Sequence, residues 1–208
     1  IMELKGKKVL VFGAGKSGIG AADLLGSAGA QPVIYDGNAD LDKEAVLHKT
    51  NGKYTPEIWA GDFPERALDS LDLVVLSPGV PTDLPLVKSF YEKGLPVWSE
   101  VELAYRTGKG EVLAITGTNG KTTTTALLGK IMGDARESVF VVGNIGTAYT
   151  SKSLEMREDS VTVAEISSFQ LETIDQFHPK VSAILNITED HLNRHHTMEE
   201  YIRVKELI

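Results

Sequence analysis

The sequence predicts an α/β fold: a Rossmann-like parallel-sheet domain at the N-terminal side, then part of a P-loop (mononucleotide-binding) α/β domain. Three observations predict it. Short runs of β-branched residues alternate with helical patterns along the whole chain, as in βαβ units built on a parallel sheet. A glycine-rich turn, Gly13-Ala14-Gly15-Lys16-Ser17-Gly18, follows the first run. A second one, Gly117-Thr118-Asn119-Gly120-Lys121-Thr122, follows a later run. Each turn sits where a strand hands over to a helix, and such folds hold phosphate groups there.

The elements follow in order. Val9-Leu10-Val11-Phe12 reads as a buried strand, and Ala21, Ala22, Leu24, Leu25 and Ala28 give a helical stripe. Val33-Ile34-Tyr35 is the next strand, ending at Asp36, and Leu73-Val74-Val75-Leu76 another, ending at Ser77-Pro78-Gly79. Leu84 to Tyr91 is helical. Leu95-Pro96-Val97-Trp98 is an edge strand, because proline cannot donate to a ladder. Glu100 to Arg106 is a helix, and Gly108-Lys109-Gly110 reads as a linker between domains at 1–107 and 108–208. Beyond it, Val112–Ile115, Val139–Val142, Val161–Ala164 and Val181–Leu185 are strands, and Thr122 to Met132 is a helix. Thr197-Met198-Glu199-Glu200 fits a capping box that opens a helix running to Ile208 without a stop signal, which reads as a chain cut from a longer protein.

Composition narrows the function. Lys plus Arg is 21 and Asp plus Glu is 29, a net charge of −8, which argues against a nucleic-acid or anionic-membrane partner. There is no cysteine, so disulfides, zinc-thiolate sites and a cysteine nucleophile are excluded. No apolar run is long enough to span a bilayer. The start, with Ile1 ahead of Met2 reading as an added leftover residue, enters a strand pattern directly and lacks the form of a secretory signal, so a cytoplasmic location is expected.

Chemistry concentrates in four places. In Thr116-Gly117-Thr118-Asn119-Gly120-Lys121-Thr122-Thr123, glycines let backbone amides turn toward an anion and the helix N-terminus adds its positive dipole end. Lys121 would reach terminal phosphates and the Thr122 hydroxyl would ligate Mg²⁺; Ile115 stands where the strict P-loop pattern has glycine. Gly13 to Gly18 with Asp36 satisfies the dinucleotide fingerprint. The diphosphate it implies belongs equally to NAD, which would make an NAD(P)-dependent oxidoreductase, or to a UDP-sugar. Glu165, Asp190 and His191 fall at strand ends, where a carboxylate and an imidazole could hold a metal beside the phosphate loop. Lys205 lies on the apolar face of the last helix with Met198, Tyr201, Ile202 and Ile208, either snorkelling or semi-buried and reactive. His195, His196, His178 and His48 read as capping or surface residues.

In this order the motifs resemble those of the Mur ligase family. The phosphate loop is followed by Gly143-Asn144-Ile145-Gly146, by Glu165-Ile166-Ser167-Ser168-Phe169-Gln170-Leu171-Glu172 and by Asn186-Ile187-Thr188-Glu189-Asp190-His191. Ser77-Pro78-Gly79-Val80-Pro81 upstream, with the Glu-x-Ser-Ser-Phe-Gln-Leu form, is similar to the member that adds D-glutamate. Asn193 and Gly37-Asn38 depart from the family's usual residues. The resemblance implies an ATP-dependent ligase that joins D-glutamate to UDP-N-acetylmuramoyl-L-alanine, as a monomer, with a sister ligase of different amino-acid choice as the near alternative. It implies that Gly15, Lys16, Ser17, Asp36, Ser77 and Gly79 hold the UDP part, and that Asn144, Ser167, Gln170 and His191 hold the sugar-peptide side. It assigns ATP to Gly117, Thr118, Asn119, Gly120, Lys121, Thr122 and Thr123. Two Mg²⁺ ions would fall to Thr122 with Glu165, and to Glu165, His191 and a carbamylated Lys205. Lys121, His191 and Lys205 are then the catalytic candidates. The 208-residue chain alone is expected to lack turnover.

Overall fold

The computed structural model describes residues 3–144 and 146–208, so Ile1 and Met2, and Ile145 of the Gly-Asn-Ile-Gly motif, lie outside the described residues. The chain divides into two compact units, Ile1–Leu103 and Ala104–Ile208.

The first unit is a five-stranded parallel sheet in the order β3-β2-β1-β4-β5. Its strands are β1 (Lys8–Phe12), β2 (Gln31–Asp36), β3 (Glu57–Ala60), β4 (Leu73–Leu76) and β5 (Val97–Ser99), and its helices are α1 (Lys16–Ser27), α2 (Lys43–Lys49), α3 (Pro85–Glu92) and the start of α4 (Glu100–Thr107). The strands read as continuous apolar runs because helices cover both sheet faces. Val9, Val11, Ile34, Leu73 and Val75 face Ala21, Leu24 and Leu25 of α1. The alternate residues Leu10, Phe12, Val33, Val74 and Leu76 face Val87 and Phe90 of α3. β5 is an edge strand, as expected, although it begins at Val97 with Pro96 just outside it, and β3 is the other edge. β3, four residues long and only partly buried, and α2, with Val46 as its buried residue, are too short for periodicity to reveal them.

The second unit is a four-stranded parallel sheet in the order β7-β8-β6-β9. It comprises β6 (Glu111–Thr116), α5 (Lys121–Ala135), β7 (Val139–Gly143), β8 (Val161–Glu165), the one-turn α6 (Ser168–Leu171), β9 (Val181–Ile184), the short α7 (Leu192–His195) and α8 (Met198–Lys205). Four consecutive threonines are poor helix formers. α5 nevertheless forms, because Gly129 lets it press onto β7, where a Cβ would meet Val141 at 2.3 Å.

The last helix corrects two expectations. α8 ends at Lys205 rather than at Ile208. Leu207 N–H donates to Val204 O at 3.2 Å and Ile208 N–H to Lys205 O at 3.4 Å, so the last turn tightens to the i−3 pattern. Only half of the capping box forms. The Thr197 hydroxyl accepts from Glu200 N–H at 3.1 Å. The Glu200 carboxylate, however, takes two hydrogen bonds from Arg203, at 2.8 and 2.6 Å, because that pair sits within reach on one helix face. Among the described residues no helix is long and apolar enough to cross a membrane.

Candidate functional site

In the first unit the site lies where strand order reverses about β1, with β2 on one side and β4 on the other. Loops diverge there and leave a crevice at the carboxyl ends of the strands. A cavity of about 500 Å³ occupies it, and Gly15, Lys16, Ser17, Asp36, Ser77 and Gly79 all line it. The three loop glycines do different work. Gly13 has φ +110, and a Cβ there would lie 2.7 Å from Ser77 Oγ. A Cβ on Gly18 would lie 1.8 Å from Gly13 O, so this glycine lets α1 close onto the loop. A Cβ on Gly15 would meet nothing within 4 Å. Gly15 is the N-cap of α1 and has no side-chain cap, which leaves backbone amides of the first turn for a ligand. The Asp36 carboxylate accepts from Ala14 N–H and Asn38 N–H, both at 3.0 Å, and so ties the tip of β2 to the glycine loop. A larger cavity of about 1230 Å³, to which the sequence assigns nothing, opens beside Gly37 at the tips of β2 and β3 and includes Tyr35 and Phe63.

In the second unit the loop after β6 turns at two left-handed glycines, Gly117 (φ +144) and Gly120 (φ +84), and runs into α5. Asn186, beyond β9, clamps it. Asn186 Oδ1 accepts from Asn119 N–H at 2.9 Å, and Asn186 Nδ2 donates to Asn119 O at 3.0 Å. The Lys121 ammonium folds back on its own loop, donating to Gly117 O at 2.9 Å and Thr118 O at 3.0 Å. The Thr122 hydroxyl donates to Glu165 Oε2 at 2.9 Å, and Asn144 Nδ2 donates to Glu165 Oε1 at 3.1 Å. Glu165 is buried, so two neutral donors face a carboxylate withdrawn from water. Gly143 makes this approach feasible, because a Cβ there would lie 2.1 Å from Glu165 O.

Lys205 is buried beneath the loop, with its ammonium 2.9 Å from Gly117 O and 3.3 Å from Thr116 Oγ1. Burial, and then the positive charge of Lys121, bring its pKa down to about 8 against the opposing pull of Asp190. It is therefore the semi-buried lysine of the two sequence alternatives, not a snorkelling one. It also lies over the Tyr201 ring, 4.9 Å from the centroid. The Tyr201 hydroxyl reaches Thr118 Oγ1 of the phosphate loop at 3.1 Å.

His191 holds a left-handed conformation (φ 53) as N-cap of α7, with its ring 4.9 Å from Phe169 and Nε2 3.4 Å from Asp190 Oδ2. Thr122, Glu165 and Asn144 are thus in direct contact, while Lys205 and His191 each neighbour Tyr201, at 4.9 and 6.4 Å from its ring centroid. Among the described residues no three His, Asp or Glu side chains form a preformed cation cage. Ser167 and Gln170 bond each other. Ser167 N–H and Oγ–H donate to Gln170 Oε1 at 2.8 and 3.0 Å, and Gln170 N–H donates to Ser167 Oγ at 3.3 Å, completing a capping box on α6.

His195 is not the surface histidine expected. It is 2% exposed, and its Nε2 lies 2.9 Å from Ser168 Oγ. Burial lowers its pKa, with the charge of Arg194 adding to the effect and Glu172 opposing it, so the ring is neutral around pH 7. Arg194 and Glu172, which the sequence also leaves unassigned, form a paired contact: Nε to Oε1 at 3.0 Å and Nη2 to Oε2 at 2.5 Å. The adjacent histidines and alternating charge gave no periodic signal that could have singled these three out.

This geometry defines the class: a chain with one Rossmann-like unit and one unit of the P-loop mononucleotide-binding type. The profile of the "Mur ligase MurD-like, N-terminal domain" matches residues 7–99, and that of the "Mur ligase middle domain" matches residues 115–208. The chain belongs to the Mur ligase family. It is 59% identical over 207 residues to the UDP-N-acetylmuramoylalanine--D-glutamate ligase of Lachnospira eligens, covering 100% of this chain and 46% of that protein. It is 47% identical to the enzyme of that name from Clostridioides difficile, covering 98% of this chain and 45% of that one. The chain thus spans about half the length of the curated relatives it matches. Among solved structures, the UDP-N-acetylmuramate-alanine ligase MurC of Thermotoga maritima superposes with a TM-score of 0.53 at 25% identity, over 97% of this chain and 46% of that one. The UDP-N-acetylmuramate:L-alanyl-gamma-D-glutamyl-meso-diaminopimelate ligase (MPL) of Neisseria meningitides gives 0.58 at 17% identity, over 97% of this chain and 67% of that one, a likeness of fold.

Proposed function

We propose that the chain is part of an ATP-dependent amide-forming ligase that adds D-glutamate to UDP-N-acetylmuramoyl-L-alanine in peptidoglycan precursor synthesis, acting as a monomer in the cytoplasm. The observation that carries this reading is the hydroxyl of Thr122, at the lip of a glycine-rich phosphate loop, bonded at 2.9 Å to the buried carboxylate of Glu165. A loop hydroxyl beside a carboxylate on the neighbouring strand is the donor arrangement of a magnesium–nucleotide site.

The L-alanyl carboxylate would attack the γ-phosphate of ATP, giving an acyl-phosphate and ADP. The D-glutamate amine would then displace phosphate and form the amide. Attack of an anion on an anion is slow unless charge is neutralised along the line of transfer. Lys121 supplies one such charge after leaving Gly117 O and Thr118 O, and the loop amides supply partial charges. The residues present fit Mg²⁺. Thr122 and Glu165 are hard oxygen donors, and a buried carboxylate met only by neutral donors is costly without a cation. Thr122 and Glu165 would hold one Mg²⁺. Glu165, His191 and Lys205 as its carbamate would hold a second. Bound Mg²⁺ would polarise the transferring phosphoryl group. Lys205 suits carbamate formation, because only a neutral amine attacks CO₂ and its pKa of about 8 leaves that form accessible. In the first unit the 500 Å³ cavity would take the UDP diphosphate at the N-terminus of α1.

The test is phosphate release by the full-length parent, screened with UDP-N-acetylmuramoyl-L-alanine and each candidate amino acid. D-glutamate should support turnover best. Lys121→Ala should lower turnover by about 100-fold or more, the loss typical of removing one transition-state donor. Normal turnover by Lys121→Ala would refute the assignment.

A further inference from the structure

Helix α6 is one turn long, and a single turn cannot hold itself together, because nucleation outweighs the few bonds it makes. Its orientation therefore comes from the packing of its buried residues Ser168, Gln170 and Leu171 and from what holds its two ends. At the N-terminal end stands the Ser167–Gln170 capping box. At the C-terminal end stands Glu172, whose carboxylate is only 9% exposed and is gripped by the Arg194 guanidinium of α7 in a two-point contact. The same Oε1 lies 3.5 Å from His195 Nδ1, and His195 Nε2 returns to Ser168 on the first turn of α6. The loop from Ser167 to Glu172 is thus closed into a ring through α7. Two further contacts extend from it. The Arg194 guanidinium lies 5.1 Å over Phe169, the ring on which His191 leans at 4.9 Å. The His195 ring lies at 32° to that of Tyr201, 5.3 Å away, and Tyr201 reaches Thr118 of the phosphate loop.

We infer that Glu172 and Arg194, acting through His195 and Phe169, are positioning residues: they set the placement of α6 and of the His191 ring that the sugar-peptide side of the reaction uses. The inference rests on the ligase reading for its kinetic consequence, not for its geometry. A carboxylate 3.5 Å from His195 Nδ1 favours the tautomer with the proton there, which leaves Nε2 to accept from the Ser168 hydroxyl at 2.9 Å. An arginine at 194 is needed rather than a lysine, because only a planar fork makes two contacts to one carboxylate while its charge stays 5.1 Å from the Phe169 ring centroid.

Two measurements test it. Imidazole nitrogen resonances of the 208-residue chain should show the Nδ1–H tautomer at His195, and Glu172→Gln should shift both the His195 and the His191 signals. Unchanged signals overturn the inference whatever the enzyme's activity. In the full-length parent, Glu172→Gln and Arg194→Lys should each lower kcat/KM for the sugar-peptide by roughly tenfold or more, the usual effect of removing an outer-shell support, with KM for the sugar-peptide raised. A merely structural role would lower kcat in step with the folded fraction and leave that KM alone, and that result would also overturn it. If Glu172→Gln does not fold, Arg194→Lys, which keeps the charge, carries both readouts. A wild-type parent without turnover would sink the ligase reading and leave the resonance test standing.

Discussion

Gly15 and Gly18 belong to one turn, yet their substitutions should have opposite consequences. Alanine at 18 would place a methyl 1.8 Å from Gly13 O, so α1 must move off the loop. Such overpacking costs about 1–3 kcal/mol or more. Alanine at 15 meets nothing within 4 Å, and the backbone there (φ −77, ψ −175) suits any residue. Its stability effect should stay within about 1 kcal/mol, the loss of a glycine N-cap. That methyl would nonetheless stand in the cavity where a diphosphate would approach the amides of α1. Gly15→Ala is therefore expected to keep the denaturation midpoint and lose UDP binding by calorimetry, whereas Gly18→Ala should lower the midpoint. UDP affinity retained in Gly15→Ala would return the turn to a purely structural role. The sequence told the glycines apart only by their order in a fingerprint; which one faces open space depends on Ser77 and Gly13 O, brought from 64 and 5 residues away by the fold.

At the scale of elements, the strands β1, β2, β4, β6 and β8 and the helix α1 were legible because each is buried enough to leave an apolar run or stripe, whereas α5, whose buried residues are Thr125 and Gly129, was legible from the phosphate loop that opens it. β3 was not, since Glu57-Ile58-Trp59-Ala60 is an edge strand with partly exposed side chains. The one-turn helices α6 and α7 were not legible either, because four residues carry no period. The candidate site divides the same way. The phosphate loop is written in consecutive residues and was readable. The buried set of Glu172, Arg194 and His195 is spread over two short elements that only tertiary contact joins. α6 also changes what Ser167 is expected to do. Its hydroxyl caps the helix as well as lining the region assigned to the sugar-peptide, so Ser167→Ala should destabilise the chain even with no ligand present. The expected loss is about 0.5–2 kcal/mol, the usual effect of removing an N-cap side chain. A urea midpoint indistinguishable from wild type would mean that the capping box does not hold α6, and Ser167 would be left with a ligand role alone.

For the whole molecule, the distribution of tryptophan gives each unit its own signal. The chain has two tryptophans, Trp59 and Trp98, and both fall in the first unit, Ile1–Leu103. Trp98 is 3% exposed in the core of that sheet, so its emission changes when that core opens. Far-ultraviolet circular dichroism, by contrast, follows helices and strands of both units. A ligand that binds only the folded state stabilises the unit it binds, by about 2.7 kcal/mol at a free concentration 100 times its Kd. UDP is assigned here to the cavity of the first unit and ATP with Mg²⁺ to the loop of the second. UDP should therefore move the fluorescence-detected unfolding transition upward. ATP with Mg²⁺ should move the part of the dichroism transition that fluorescence does not see, and Lys121→Ala should abolish that second shift alone. The net charge of −8 works against non-specific binding of either anionic nucleotide, so shifts that saturate report local sites. Should UDP stabilise the dichroism signal while leaving tryptophan emission where it was, the diphosphate would have to sit in the second unit, and the division of labour argued from the two glycine loops would be wrong.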